Sequence, residues 1–278
     1  MTRSLPLQGR IAVVTGASAG IGRAVAAGLV WTGANVVINA RRREKLDEAA
    51  KEIARSHGAG DGSGRLFAVA GDAADESTVT AMLDAARKQF GRDADLVIVN
   101  AGRGLSGSPV TSDAAQWEEM IRTNLLGASR LIRAAATRML ELVPTPTAAP
   151  AKNTPETDPW LKSPRDIIIL GSSVGRNISP FSSMYGSTKF AINSIAEAVR
   201  RELSPKGIRV STINPAVVRS DFQAAAGYDP EKFGAFMDGI GPVLEPEDVA
   251  RLIIFMASQP AHVCLNDVMI RATRQEYP

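Results

Sequence analysis

The sequence predicts a doubly wound α/β domain of about seven strands with helices on both faces. Three observations carry this prediction. Short apolar, β-branched runs alternate with segments of helical length along the whole chain. A glycine-rich turn, Gly16-Ala-Ser-Ala-Gly-Ile-Gly22, stands between the first run and the first helix. There is no repeat and no clear second domain in the 278 residues, so a single domain, 1–278, is expected.

Composition narrows the function classes. Hydrophobic residues make up 45% of the chain, enough for a folded core. The net charge is +3, and the 32 basic residues form no long stripe with interleaved aromatics, which argues against nucleic acid as a partner. Cys264 is the only cysteine, so no internal disulfide can form, and a reducing, cytoplasmic setting is expected. No apolar run approaches the roughly 18 residues of a membrane span, and Met1 to Arg10 has no apolar signal core. No metal site is expected, and His57 is given no catalytic role.

Arg10 to Thr15 reads as a buried strand and Arg23 to Trp31 as the helix after the glycine turn. Strand, glycine turn and helix together suit a dinucleotide pyrophosphate: Gly16, Gly20 and Gly22 let the backbone approach, and the helix start offers free N–H groups. Asn35 to Ala40 is a second strand, and its end would reach an adenosine ribose. A carboxylate there would bind the 2′-hydroxyl of NAD. Instead Ala40 is followed by Arg41 and Arg42, whose guanidinium groups suit a 2′-phosphate, so NADP(H) is read. Arg43 and Lys45 begin the next helix, Glu44–Arg55. A glycine-rich loop leads to a third strand, Leu66 to Ala70. Asp72, followed by Ala73, either binds an adenine amino group or caps the helix Glu76–Phe90, a cap for which Asp75 is better placed.

Leu96 to Val99 is a fourth strand, entering the small flat turn Asn100-Ala101-Gly102. Gln116 to Met139 reads as one long helix with Asn124 inside it. Asn is an indifferent helix former, so Asn124 either disturbs the ladder and holds a water or lies on the surface. Residues 144–165 contain six prolines and predict a surface insertion, with Trp160 pinning part of it. As a helix-to-strand connection it is expected on the side opposite the ligand crevice. Asp166 to Leu170 is a fifth strand. Ser172 follows it, thirteen residues before Tyr185, and either faces the next helix or satisfies a local turn.

Tyr185 and Lys189 lie one turn apart on the helix Tyr185–Leu203. An ammonium beside a phenol favours the phenolate, which predicts a lowered Tyr185 pKa and a proton donor and acceptor near neutral pH. Ile208 to Ile213 is a sixth strand. Residues 221–242 lack a clean period and predict a substrate lid, with Phe222, Tyr228, Phe233 and Phe236 as its apolar surface. A last helix opens at Glu245-Pro-Glu-Asp-Val, and Cys264 to Ile270 is a final strand.

Thr15-Gly-x-x-x-Gly-x-Gly22, Asn100-Ala-Gly102, Asn124, Ser172, Tyr185-x-x-x-Lys189 and Asn214-Pro215 occur in one order at coherent spacings. This set resembles the short-chain dehydrogenase/reductase family over roughly residues 8 to 272. The resemblance implies a Rossmann-type domain with a central parallel sheet. It implies Tyr185 as general acid/base, Lys189 as the residue that lowers its pKa and holds the nicotinamide ribose, and Ser172 as hydrogen-bond partner of the reacting oxygen. Asn124 would hold a water of a proton relay. Gly16, Ser18, Ile21, Asn100, Pro215 and Val217 would contact the cofactor, with Ala19, Ala101, Val218 and Ser220 beside them. Pro215-Ala216 departs from the family's Pro-Gly, and Ser220 stands for its Thr.

Glu245-Pro-Glu-Asp-Val and Gln259-Pro-Ala-His-Val-Cys-Leu-Asn266 are similar to the NADP-dependent 3-hydroxy acid and serine dehydrogenase branch, with 3-oxoacyl reductases close by. A carboxylate substrate would want a cation, for which Arg176 is preferred over Arg103 and Arg219. The expected activity is hydride transfer between NADP(H) and a ketone or secondary alcohol, either a 3-oxo/3-hydroxy acid pair or a bulky hydrophobic ketone. The alternative is an NADP(H)-binding sensor or scaffold without turnover, with the proline-rich segment as docking arm. A homo-oligomer, dimer or tetramer, is expected from the family.

Overall fold

The computed structural model describes residues 5–56, 64–142 and 159–277. Most of the proline-rich insertion and His57 lie outside them. Seven parallel strands run in the order β3-β2-β1-β4-β5-β6-β7: β1 Ile11–Thr15, β2 Asn35–Ala40, β3 Leu66–Ala70, β4 Leu96–Val99, β5 Arg165–Leu170, β6 Ile208–Pro215 and β7 Asp267–Ile270. The middles of the central strands are apolar because both faces of the sheet are covered, while polar residues stand at the strand ends and along β6. Alternate side chains serve opposite layers. Ala12, Val14, Ile38, Ile98 and Ile168 pack with α1 (Gly20–Trp31), α2 (Arg43–Ser56) and α9 (Pro246–Ala257). Val13, Val37, Val97, Ile167 and Ile169 pack with α3 (Glu76–Phe90), α5 (Ala128–Glu141) and α6 (Ser183–Leu203).

Two stretches differ from their expected form. The segment read as one helix over 116–139 is α4 (Trp117–Ile121), a π-turn over Arg122–Gly127, and then α5. Asn124 sits in the π-turn. The segment read as an irregular lid contains two helices, α7 (Phe222–Ala225) and α8 (Pro230–Ile240). Asp229 caps α8 by accepting from the N–H groups of Glu231 and Lys232, and Pro230 opens it. At the start of α9, Glu245 and Asp248 form a capping box.

The end of the sheet away from the strand C-termini is fastened by buried charge. Asp166, at the start of β5, accepts from Arg10 Nη2 at 2.8 Å and from Arg209 Nε and Nη2 at 2.6 and 2.9 Å. Arg10 also binds Asp95 at 2.6 Å, and Arg209 donates to the carbonyls of Gln259, Pro260 and Val263. β1, β4, β5, β6 and the chain after α9 meet at these groups. Trp160, the described edge of the proline-rich segment, lies at this same end, against Gly207 just before β6.

Removing Asp166 would take the shared carboxylate from two buried guanidinium groups, leaving Arg10 with Asp95 and Arg209 with backbone carbonyls. Asp166→Ala is expected to lower the unfolding free energy by about 3–5 kcal/mol. Asp84→Ala removes an exposed partner of Arg138 and is expected to cost less than about 1 kcal/mol. Urea unfolding midpoints of the two variants, at equal m-values, check the contrast.

Candidate active site

The strand order reverses direction between β1 and β4, and the C-terminal ends of these two strands open a crevice. Side-chain amides and a hydroxyl fix its floor. Thr15 Oγ1 accepts from the N–H groups of Asn100 and Ala101 at 3.1 and 3.0 Å. Asn100 Nδ2 donates to the carbonyls of Thr15 at 2.8 Å and Gly16 at 3.3 Å. Gly16 has φ +67°, and a Cβ there would stand 2.8 Å from Asn100 Nδ2. A Cβ on Gly22 would stand 2.3 Å from the Gly16 carbonyl oxygen. Glycine is therefore required at both positions by backbone approach. Ala19 precedes α1 without any side-chain cap, and the first turn of α1 carries no acid. The helix start is a cradle for an anion.

One cavity of about 470 Å³ runs along this crevice. At one end lie Arg41, Arg42, Asp72 and Ala73. Ser18, Ala19, Gly20, Ile21 and Asn100-Ala101-Gly102 line its middle. Ser172, Tyr185, Lys189, Pro215, Val217, Val218 and Ser220 follow, and Phe222, Tyr228, Phe233 and Phe236 close the far end. These positions include most of the residues singled out from the sequence. Gly22 is not a lining residue; it packs behind the turn.

Asn124 is buried beside the cavity and does not line it. Its Oδ1 accepts from Arg103 N at 2.8 Å, and its Nδ2 donates to the Arg103 carbonyl at 2.9 Å and to Thr188 Oγ1 at 3.1 Å. The amide thus clamps the loop after β4 to α6. Arg176 departs from expectation. Its guanidinium is paired with Asp267, 91 residues away on β7, and it does not line the cavity. Of the three arginines weighed for a carboxylate substrate, Arg103 lines the cavity, held by Glu119 and, at 2.7 Å, by Gln116. Arg41 pairs with the other oxygen of Glu119 at 2.9 Å. Burial pushes the Asp72 carboxyl up, but the Ala74 N–H, Arg122 and Arg41 outweigh it and hold the group below its ordinary range.

Tyr185 and Lys189 are each only 7% exposed. Lys189 Nζ lies 5.8 Å from the centre of the Tyr185 ring and donates to the Leu170 carbonyl at 2.7 Å. The expected lowering of the Tyr185 pKa is reversed. Burial pushes the phenol well above its ordinary value, against a hydrogen bond with Ser172 that works the other way. Burial also pushes the Lys189 ammonium down, to about 8. A low-dielectric site disfavours both charged forms, so the phenol keeps its proton.

Asn193, which the sequence reading passed over, and Asn214, read there only as part of the Asn214-Pro215 motif, are scaffold residues. Asn214 Oδ1 accepts from Ser172 N at 3.2 Å and from Asn193 Nδ2 at 3.1 Å, and Asn214 Nδ2 donates to Asp267 at 2.9 Å. Tyr185, Lys189 and Asn193 are spaced four apart, a signal that was available for Asn193. Ser179 and Ser182 were also missed; both line the cavity just before α6.

The doubly wound sheet, the anion cradle and the Ser172–Tyr185–Lys189 set, in which Tyr185 and Lys189 are buried, define an oxidoreductase that uses a dinucleotide. The chain belongs to the short-chain dehydrogenase family, whose family model (short chain dehydrogenase) matches residues 10–144 and 159–231. It is 29% identical over 265 residues to uncharacterized oxidoreductases of Staphylococcus aureus and Staphylococcus saprophyticus, covering 95% of this chain and 98% of theirs. A 3-ketoacyl-(acyl-carrier-protein) reductase from Brucella melitensis, complexed with NADH, superposes with a TM-score of 0.78 at 25% identity, over 96% of this chain and 99% of that one. The closed form of a serine dehydrogenase complexed with NADP+ gives a TM-score of 0.78 at 26% identity, over 96% of each chain. A nicotinamide dinucleotide fits the site: the glycine positions leave room that a Cβ would fill, and the bare start of α1 offers N–H groups to its phosphates.

The lysine shift has a sign that can be measured without cofactor. Below pH 8 Lys189 is charged in both states, and its burial cost is fully present. Between about 8 and 10.5 the folded state has released a proton that the unfolded state still holds, so stability rises with pH. The full gain is about 3 kcal/mol, most of it reached by pH 10; above that the raised Tyr185 pKa acts in the opposite direction. Urea unfolding of the cofactor-free protein from pH 7 to 10 is expected to show this rise, and Lys189→Met to remove it.

Proposed function

We propose that this chain is an NADP(H)-dependent oxidoreductase that moves hydride between the nicotinamide and a ketone or secondary alcohol. The observation that carries this reading is a buried, protonated Tyr185 that faces the cavity, hydrogen-bonded with Ser172 and one turn from Lys189. When bound, the nicotinamide supplies or accepts the hydride. Tyr185 holds a proton at Oη for an oxygen that gains charge, which suits ketone reduction. The Ser172 hydroxyl donates to the same oxygen and fixes its position. Lys189, with Leu170 as its carbonyl partner, stands ready to supply charge beneath the phenol as a proton leaves it. Asn124, buried between Arg103 and Thr188, keeps this wall in place and lies on the expected relay path from Lys189.

The preference for the 2′-phosphorylated cofactor rests on the end of β2. Arg41 and Arg42 line the cavity there, where a carboxylate would otherwise select NAD. The nearby Asp72 is engaged by Arg122 at 2.8 Å. α7 and α8 carry the aromatic wall and act as the substrate lid. The single cysteine supports a reducing, cytoplasmic setting. Exposed Ile121, Leu126 and Phe190, on packed helices around the π-turn, support a homodimer or homotetramer.

Two measurements test the reading. Tyr185→Phe is expected to lower kcat for ketone reduction by about 10² to 10⁴-fold while NADPH binding, read by fluorescence titration, is retained. Arg41→Ala with Arg42→Ala is expected to weaken NADPH binding by about 10 to 100-fold and to leave NADH binding within a factor of about three. Equal losses for both cofactors would overturn the NADP(H) assignment, and NADPH binding without turnover of any ketone would point to sensing.

A further inference from the structure

The reacting end of the cavity has a polar wall that the hydride-transfer reading does not use. Ser179 and Ser182 are 6% and 2% exposed, and both line the cavity. Ser182 Oγ donates to Ser179 Oγ at 3.2 Å. Tyr228 lines the same end; burial raises the pKa of its hydroxyl, and an interaction with Ser182 works the other way. The Tyr228 ring packs on Phe233 with ring centres 5.3 Å apart, and Phe222 lies 5.5 Å from the Tyr185 ring. The result is a row of three hydroxyls set in an otherwise aromatic chamber.

A count of donors shows what the row lacks. Three hydroxyls carry three hydrogens, and the Ser182–Ser179 bond and the Ser182–Tyr228 interaction engage at most two. One donor and several lone pairs remain on buried groups that face the cavity. Buried hydroxyls without partners are costly, so such a row is complete only when an oxygen from the cavity's contents joins it.

Charge at this end points away from an anion. The described cations that line the cavity are Arg41, Arg42, Arg103 and Lys189. Arg41 and Arg42 follow β2, three strand positions from β5 and Ser172, about 14 Å across the sheet. Arg103 is already held by Glu119 and Gln116, and Lys189 by the Leu170 carbonyl. Arg176 is paired with Asp267. Asp221 lines the cavity as well and would repel a second carboxylate. An anion among Phe222, Phe233 and Phe236 would lose its water without gaining a counter-charge.

We propose that the Ser179–Ser182–Tyr228 row is a specificity subsite that selects a neutral ketone or alcohol bearing a second hydroxyl beyond the reacting carbon. The subsite turns away oxo-carboxylates. The proposal rests on the ketone/alcohol reading of the same site. It replaces the acid substrate expected from the sequence with a neutral, hydroxylated one that has an apolar flank. A site built to bond a substrate hydroxyl rejects the analogue that lacks it, because its own polar groups are then left unpaired.

The test uses phenyl ketones of one chain length that end in methyl, hydroxymethyl or carboxylate, with NADPH. The full-length enzyme is expected to turn over the hydroxymethyl ketone with a kcat/KM at least about 10-fold above the methyl ketone, and further above the carboxylate. In Ser182→Ala and in Tyr228→Phe this ratio is expected to fall to within a factor of about three, mainly through KM. A preference for the carboxylate overturns the proposal, as does a hydroxymethyl preference that survives in both variants. Circular dichroism identifies a variant that fails to fold, and the other then decides. If no ketone is reduced, the ketone/alcohol reading fails. Calorimetric binding of the same three compounds to the enzyme with NADP+ then decides the subsite alone: tighter binding of the hydroxymethyl compound, lost in the variants, supports it, and equal or weaker binding overturns it.

Discussion

The hydrogen bonds from Asn100 to the backbone of Thr15 and Gly16 hold the crevice at one width. β1 and β4 are neighbours in the sheet, but the chain leaves them toward opposite faces, so side chains span the gap between their ends. The amide closes that gap from below and the Thr15 hydroxyl closes it from the other side. Asn214 repeats the device between β5 and β6, where it receives the Ser172 N–H and holds Asn193 on α6. Short amides suit this task because they offer a donor and an acceptor within one rigid plane. With the strand ends fixed, the glycine turn can run close to the floor, and Ser172 and Tyr185 face each other across it.

The two ends of the sheet treat charge in opposite ways. At the strand N-termini the buried charges of Arg10, Asp95, Asp166 and Arg209 are paired with one another and with backbone carbonyls. At the C-terminal ends Lys189 is equally buried, but it donates to a carbonyl, that of Leu170, rather than to a carboxylate. The difference explains the direction of the shifts. A guanidinium between two carboxylates is held charged: burial opposes it, and Asp95 and Asp166 prevail, so Arg10 is raised. An ammonium with only a carbonyl gives way to burial and is lowered to about 8. Stability is concentrated where charge is paired, and chemistry is placed where it is not.

How much was legible depended on the range of the forces involved. β2, β3, β4 and α3 end where the sequence places them, because an apolar run meeting Gly, Asp or Asn is a local signal. The cofactor cradle was legible for the same reason. Tyr185 and Lys189 were legible as neighbours, since helical spacing is local, but their burial was not, and burial decides which way the phenol moves. Arg176 shows the limit most plainly. Four residues from Ser172 in sequence, it turns to a carboxylate on β7 that only the completed sheet brings near. The hydroxyls of Ser179 and Ser182 lie in a stretch without periodicity, and they meet Tyr228 only because α7 and α8 fold back over the crevice. Asp229-Pro230, a cap followed by a helix-opening proline, was a signal for α8 that the surrounding glycines obscured.

The π-turn at Arg122–Gly127 joins these threads. One extra residue in a turn rotates every later side chain by about a quarter of a circle. Before the insertion Glu119 faces Arg103 and Arg41; after it Leu131 and Ile132 face the core. An uninterrupted helix could not serve both surfaces and also direct Asn124 inward. Periodicity analysis cannot see such an insertion, because the apolar pattern resumes in phase with the core. The amide at that position then makes three bonds, two to the Arg103 backbone and one to Thr188, so the loop after β4 is tied to the helix that carries Tyr185. Whatever moves Arg103 must therefore act on α6. The residue expected from the sequence to serve a relay is also, in the fold, a brace that ties the Arg103 backbone to α6.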